Sequence, residues 1–217
     1  MTSRYGQLLF TPQVQRHQES RGSRRNYANM TAGPAEADPL TPDEASFAAT
    51  RTSFYLASTS STGWPYVQHR GGPPGFLQAL DDRTLAFADY RGNKQYITTG
   101  NLDSDGRVAL LLMDYPSRTR LKILGRARTA GVEEWPESAG ALLPGDYRAA
   151  VERIVLIDVE AYDWNCPQHI EPRYTAAELE EALGPLRERM AELERENARL
   201  REQPRRPRPA RGLSAQP

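Results

Sequence analysis

The chain has 217 residues, 38% of them apolar, and a mean hydropathy of −0.69. No run of about 18 apolar residues exists, which excludes a membrane-spanning protein, and Met1–Phe10 has no apolar core followed by a small-residue cleavage site, so no leader is expected. The single cysteine, Cys166, excludes an internal disulfide and fits a reducing, cytoplasmic setting. The 28 basic and 28 acidic side chains cancel, but unevenly: residues 1–30 carry five Arg and one Glu, residues 203–217 carry four Arg and no acid, and residues 31–202 hold 19 cations against 27 acids. Only Lys94 and Lys122 are lysines. Codon composition accounts for an arginine bias of this kind, and nucleic-acid binding would require a uniformly basic face.

Composition divides the chain into a polar N-terminal arm (1–40), a body (41–175), a heptad helix (176–202) and an Arg/Pro-rich tail (203–217) expected to be disordered. The arm has weak helical character from Pro12 to Met30. Residues 41–52 predict a helix: Thr41 is a good N-cap, Pro42 occupies the first helical position, Asp43 and Glu44 fill the first turn, and Glu44 completes a capping box with Thr41.

Extended runs follow. Ser53–Thr59 is β-rich, Ser60–Gly63 reads as a turn, and Trp64–Arg70 is a second run. Phe76–Leu80 and Thr84–Ala88 flank the turn Asp81-Asp82-Arg83 as a hairpin. Val108–Met113 is continuously apolar and predicts a central strand buried on both faces. Arg120–Ala130 and Arg153–Asn165 complete the set. Glu133–Arg153, between those two, mixes turn residues with a short helix around Tyr147–Glu152. About six strands at hairpin spacing with few helices between them predict a mainly β (α+β), six-stranded antiparallel split β-barrel with flanking helices. Neither GxGxxG after a strand nor GxxxxGK[ST] is present.

In residues 176–202 the apolar positions Leu179, Leu183, Leu186, Met190, Leu193 and Leu200 alternate spacings of four and three, a heptad pattern with Asn197 in the remaining slot. With the leucines 179, 186, 193 and 200 at d, Asn197 is an a position, and the g and e residues Arg189/Glu194 and Glu196/Arg201 are complementary across a parallel pair. A helix lying on its own body is the other reading. Gly184-Pro185 predicts a break, with a new helix starting at Pro185.

Three donor-rich segments are the candidate site. In Arg120–Arg128, alternation puts Leu121, Ile123, Gly125 and Ala127 on one face and Arg120, Lys122, Leu124, Arg126 and Arg128 on the other. Four cations on one face suit an anionic ligand, an acidic partner or a solvated exterior. In Ala88-Asp-Tyr-Arg-Gly-Asn-Lys-Gln-Tyr, Gly92 permits close backbone approach, and Arg91, Asn93, Lys94 and Gln95 supply donors at a strand exit ahead of a helix start, a phosphate-holding arrangement. In Gln68-His-Arg-Gly-Gly, Arg70 adds charge where Gly71 and Gly72 remove side chains. A further candidate, Tyr162-Asp-Trp-Asn-Cys-Pro-Gln-His, offers Trp164 to cover a flat ligand and Asn165, Gln168 and His169 to face a substrate. His69 and His169 are candidate proton carriers, with a structural hydrogen-bonding role as the alternative. Cys166, with no second cysteine, reads as a packed thiol. There is no zinc-type ligand spacing and no triad signature.

Taken jointly, QHRGGPPGFL, LAFADYRGNKQYITTGNL, ALLLMDYPSRTRLKILGRAR and DWNCPQHI resemble the pyridoxamine 5′-phosphate oxidase-like superfamily of FMN-binding split barrels, closest to the branch described as predicted flavin-nucleotide-binding proteins, over roughly residues 40–175. The resemblance implies a homodimer with FMN across the subunit interface and a flavin-dependent oxidoreductase acting on a small organic molecule. It implies that Arg70 contacts the phosphate or ring edge, that Ala88 and Asp89 lie near the ribityl chain, and that Arg120 offers an amide to the ring from the other subunit. Asn93 and Lys94 match an Arg-Lys phosphate pair. Asn93 departs from it, leaving Arg91 or Arg120 to supply the missing charge. The C-terminal Arg and His substrate motif of the oxidase proper is absent, so pyridoxamine phosphate oxidation is not implied. A non-catalytic flavin-binding or interaction module, or a barrel holding haem or a deazaflavin, are the alternatives.

Overall fold

The computed structural model describes residues 3–131, 149–164 and 167–202. They form two units, split between Pro172 and Arg173. The tail 203–217, the turn-rich stretch 133–148, Asn165 and Cys166 lie outside the described residues.

Seven strands, rather than six, build one antiparallel sheet: β1 (Ser53–Thr59), β2 (Pro65–Gly71), β3 (Leu77–Ala79), β4 (Thr84–Tyr90), β5 (Arg107–Asp114), β6 (Thr119–Ala130) and β7 (Val151–Trp164), in the order β2-β1-β5-β6-β7-β4-β3. The expected hairpin of Phe76–Leu80 with Thr84–Ala88 is present as β3 and β4, the three residues of β3 pairing with Leu85–Phe87. The expected helix around Tyr147–Glu152 is replaced, where described, by the start of β7: Val151 and Glu152 are already extended, and Tyr90 pairs with Val151.

The sheet curls. Phe54 on β1 and Phe87 on β4 are separated by three strands in the sheet, yet their rings meet edge to face at 5.2 Å, and Phe76 stacks on Phe54 at 5.7 Å. The inward residues Leu56, Leu85, Leu112, Leu121, Ile123 and Ile157 close around them with essentially no exposure. Each such side chain contributes about 1.5–3 kcal/mol by leaving water. Curling needs close strand approach at β6/β7, where the register shifts after Leu124. A Cβ at Gly125 would sit 2.6 Å from the Asp158 carbonyl oxygen, so glycine is required there.

The strand buried on both faces is β4, not β5: Leu85–Asp89 are all buried, whereas β5 alternates, with Ala109 and Leu111 half-exposed. Continuous apolarity in β5 instead serves an outer groove of about 600 Å³, lined by Tyr55, Val67, Leu111 and Leu124 and flanked by Tyr5 and Leu9 of the arm. The arm folds as short helices α1 (Arg4–Leu9), α2 (Pro12–Ser20) and α3 (Arg24–Tyr27), the last running into a 3₁₀ turn, Ala28–Thr31. The backbone N–H of Arg4 donates to Asp38, anchoring α1.

Helix α4 (Pro42–Ala49) begins with the expected capping box. Glu44 is buried and accepts from the Thr41 backbone N–H at 2.9 Å, the Thr41 hydroxyl at 2.5 Å and the Trp164 indole at 2.5 Å. Burial works to raise the Glu44 pKa, but the donors of Thr41 and Trp164 together outweigh it and hold the carboxyl below its usual value. Helix α5 (Ile97–Ser104) is held by two side-chain pairs: Thr98 donates to half-buried Gln68 at 3.0 Å, and Asn101 donates to buried Ser58 at 2.9 Å.

The second unit contains α6 (Ala176–Glu202), capped by Thr175 and Glu178 acting reciprocally. The expected break does not occur: the helix runs through Pro185 without interruption. Proline there removes one backbone donor, and the hydrogen bonds on both sides carry the helix across.

Candidate functional site: a cleft between β2, β4 and the start of α5

A cleft of about 210 Å³ opens where the two ends of the curled sheet approach each other. β2 supplies Gln68, His69, Arg70 and Gly71; β4 supplies Phe87, Ala88 and Asp89; the following loop supplies Gly92, Asn93, Lys94 and Gln95; and α5 opens onto it with Thr98 and Thr99.

The floor is an ion-pair cluster. Arg70 Nη1 lies 2.5 Å from Asp89 Oδ1, both side chains largely buried, while Arg70 Nε is buried without a hydrogen-bond partner. Arg153 reaches Asp89 at 3.8 Å, donates to Thr99 at 2.8 Å and lies over the Tyr96 ring at 5.0 Å. Arg91 pairs with Glu152 at the rim at 3.0 Å. Burial pushes the Asp89 carboxyl up despite the opposing pull of Arg70 and Arg153, with Glu152 adding to the rise. The register of β4 and β7 shifts after Asp89, and Asp89 and Glu152 on either side of the shift both line the cleft.

The loop is held in an uncommon conformation. Lys94 and Tyr96 have φ of 60° and 53°, the left-handed region, which costs an ordinary residue roughly 1–2 kcal/mol. Asn93 stabilises the turn by accepting from the Gln95 backbone N–H at 3.2 Å, so this neutral residue shapes the loop that presents Lys94. Tyr96 has no side-chain capping bond to α5, which leaves the helix's positive end facing the cleft.

The other sequence candidates lie elsewhere. Lys122 pairs with Asp163 at 2.7 Å across the β6/β7 register and sits over the Tyr5 ring at 4.8 Å, while Arg126 pairs with Glu160 at 3.3 Å. Lys122 and Arg126 thus face carboxylates of β7; on the same strand Arg120 is opposite Met113 and Arg128 opposite Leu156. Trp164 is tied to Glu44 and packs edge to face on Phe47 at 4.9 Å. Gln168 and His169 are exposed, the latter at φ 62°. His69 is exposed at the cleft edge against Tyr55. Sequence reasoning missed Tyr66, Phe76, Tyr96, Thr99, Glu152 and Arg153. Phase along β7 could have found Arg153, since it pairs directly with Asp89. Among the described residues no helix is long and apolar enough to cross a membrane, and no cluster of His, Cys, Asp or Glu is placed to hold a metal.

The curled antiparallel sheet with a cleft at its open seam defines a split-barrel protein. Residues 40–160 match the family model for pyridoxamine 5′-phosphate oxidase, and the chain belongs to that family. No curated protein matches. Solved structures that it resembles include HupZ of Group A Streptococcus (16% identity, 62% of this chain and 100% of that one, TM-score 0.44). Others are an FMN-binding protein of Syntrophomonas wolfei (12%, 71% and 95%, TM-score 0.40) and a Clostridium acetobutylicum protein related to general stress protein 26 (10%, 58% and 85%, TM-score 0.39). These likenesses are distant.

Proposed function

We propose that the cleft binds FMN and that the protein is an FMN-dependent oxidoreductase acting on a small organic molecule. The observation that carries this is Arg70: a buried guanidinium with one edge on Asp89 and an unpartnered Nε at the cleft floor. Such a donor is costly unless a ligand uses it. The donor set suits a phosphate: Arg70 and Lys94 line the cleft, Arg153 and Arg91 pair with Asp89 and Glu152 and offset those carboxylates, and the first turn of α5 adds its own N–H groups. The remaining wall, with Tyr66, Phe76, Phe87 and Ile97, suits a flat, largely apolar body.

FMN, when bound, supplies a carrier able to take up and release electrons and hydride. In this reading the chain orients it: Arg70 and Lys94 hold the phosphate, Gln68 and Gln95 offer hydrogen bonds to polar edges, and the Phe76 and Phe87 rings exclude water. The protein acts as a homodimer in which a second copy completes the site. Two observations support this: 210 Å³ is below the roughly 300–1,000 Å³ usual for ligands of cofactor size, and the outer groove leaves Val67 62% exposed.

The test is the absorption spectrum of the purified protein before and after adding FMN, then NADH or NADPH. Flavin bands that bleach with a nicotinamide and recover in air support the oxidoreductase. Bound flavin that no nicotinamide or small organic donor reduces would leave a binding module. Haem or deazaflavin bands with no FMN uptake would overturn the FMN assignment.

A further inference from the structure

We propose that α6 is a parallel, in-register coiled-coil element that pairs with α6 of a second copy of this chain. The proposal is independent of what the cleft binds. α6 is one unbroken helix of 27 residues, so the heptad register holds from end to end. Its stripe of Leu179, Leu183, Leu186, Met190, Leu193 and Leu200 is exposed along its whole length, each residue at 39–57%. A stripe at a and d spacing is the seam that helix pairing buries. The two helix-breaking residues are kept off that seam: Gly184 and Pro185 fall at b and c, so the backbone carbonyl left without a proline N–H faces outward.

A second copy fits this seam because the flanking charges are self-complementary. In a parallel pair Arg189 faces Glu194 and Glu196 faces Arg201, and the two-fold axis makes each contact twice. Arg189 now pairs with Glu192 within its own helix at 2.8 Å and Arg187 with Glu180, exposed contacts of the kind that exchange readily. Charge alone does not set direction, since an antiparallel pair also matches Arg187 with Glu194 and Arg189 with Glu196. Asn197 sets it. At an a position it meets Asn197 of the other helix in a parallel pair, and the two amides bond to each other. In the antiparallel register it lies beside Leu186 with its amide unpaired, which is unfavourable.

The experiment uses the full-length chain with Cys166→Ser and Leu200→Cys, equilibrated in a glutathione redox buffer, with the disulfide-linked dimer measured. The expected result is that most of the chain cross-links. Adding Arg189→Glu and Arg201→Glu lowers the yield by about tenfold, and mixing that chain with a Glu194→Arg/Glu196→Arg chain restores it as a heterodimer. No cross-link at position 200, or a yield indifferent to the charge reversals, would overturn the proposal. So would a disulfide between Leu183→Cys and Leu200→Cys chains in place of the 200–200 bond, which reports antiparallel helices.

Discussion

Arg70 on β2 and Asp89 on β4 are separated by four strands in the sheet, yet Arg70 Nη1 and Asp89 Oδ1 lie 2.5 Å apart. The pair ties together the two ends of the curled sheet and forms the floor of the cleft. Removing Arg70 leaves Asp89 buried with only Arg153, at 3.8 Å, to offset its charge. Arg70→Ala is therefore expected to lower unfolding free energy by roughly 3 kcal/mol at neutral pH, measured by urea denaturation. The loss should shrink in Arg70→Ala/Asp89→Asn, where no charge is stranded.

Lys94 is exposed, and in the proposed site its contribution is to the ligand rather than to the fold. Lys94→Ala should leave stability within about 0.5 kcal/mol of the parent and weaken FMN binding by about tenfold. Added salt should weaken the parent more than the variant, because a screened contact has already been removed. Isothermal titration at two salt concentrations reads the two binding effects, and urea denaturation reads the stability.

Glu44 links the start of α4 to the end of β7 through Thr41 and Trp164. Its carboxyl is held below the usual 4.5, so its stabilisation is present above that value and is lost as pH falls through the lowered one. Asp89 has the opposite sign: raised above 3.8, it favours folding when protonated and loses that contribution as pH rises through its raised value. Glu44→Gln should cost about 1–2 kcal/mol at neutral pH and flatten the acid side of the stability curve, read from melting temperatures across the acid range together with the Trp164 emission.

Gly72 lets the loop after β2 press on a cleft wall. A Cβ there would lie 2.6 Å from Phe76 Cγ, and Phe76 is 1% exposed. Gly72→Ala should destabilise by about 1–3 kcal/mol and weaken ligand binding by displacing the ring, whereas Gly92→Ala, where nothing lies within 4 Å, should do neither in the unliganded protein.

Much of this architecture is legible in the residues. Thr41, Pro42 and Glu44 specify a helix start because the capping box is entirely local, and β1, β2, β4, β6 and β7 carry strong extended patterns. Where side chains end up after the sheet curls is less legible. Trp164 reads as a ligand cover, but its indole finds Glu44, 120 residues away. Lys122 reads as an anion contact, but strand register sets it opposite Asp163. β5 reads as doubly buried because apolar runs do not distinguish a second core face from an exposed groove. Pro185 reads as a break because local propensity ignores the turns that continue on either side. The loop from Arg91 to Gln95 and the Gln-His-Arg-Gly run of β2 were both recognisable as donor-rich, but only the curl brings them to one cleft.

In the proposed site the cleft takes a flavin by its phosphate. The most direct measurement is a pair of equilibrium titrations, followed by flavin fluorescence, with FMN and with riboflavin, which differs only in lacking the phosphate. FMN is expected to bind at least about a hundredfold tighter, with the gap narrowing sharply in Arg70→Ala/Lys94→Ala. Equal affinities for the two flavins, or no uptake of either, would contradict it.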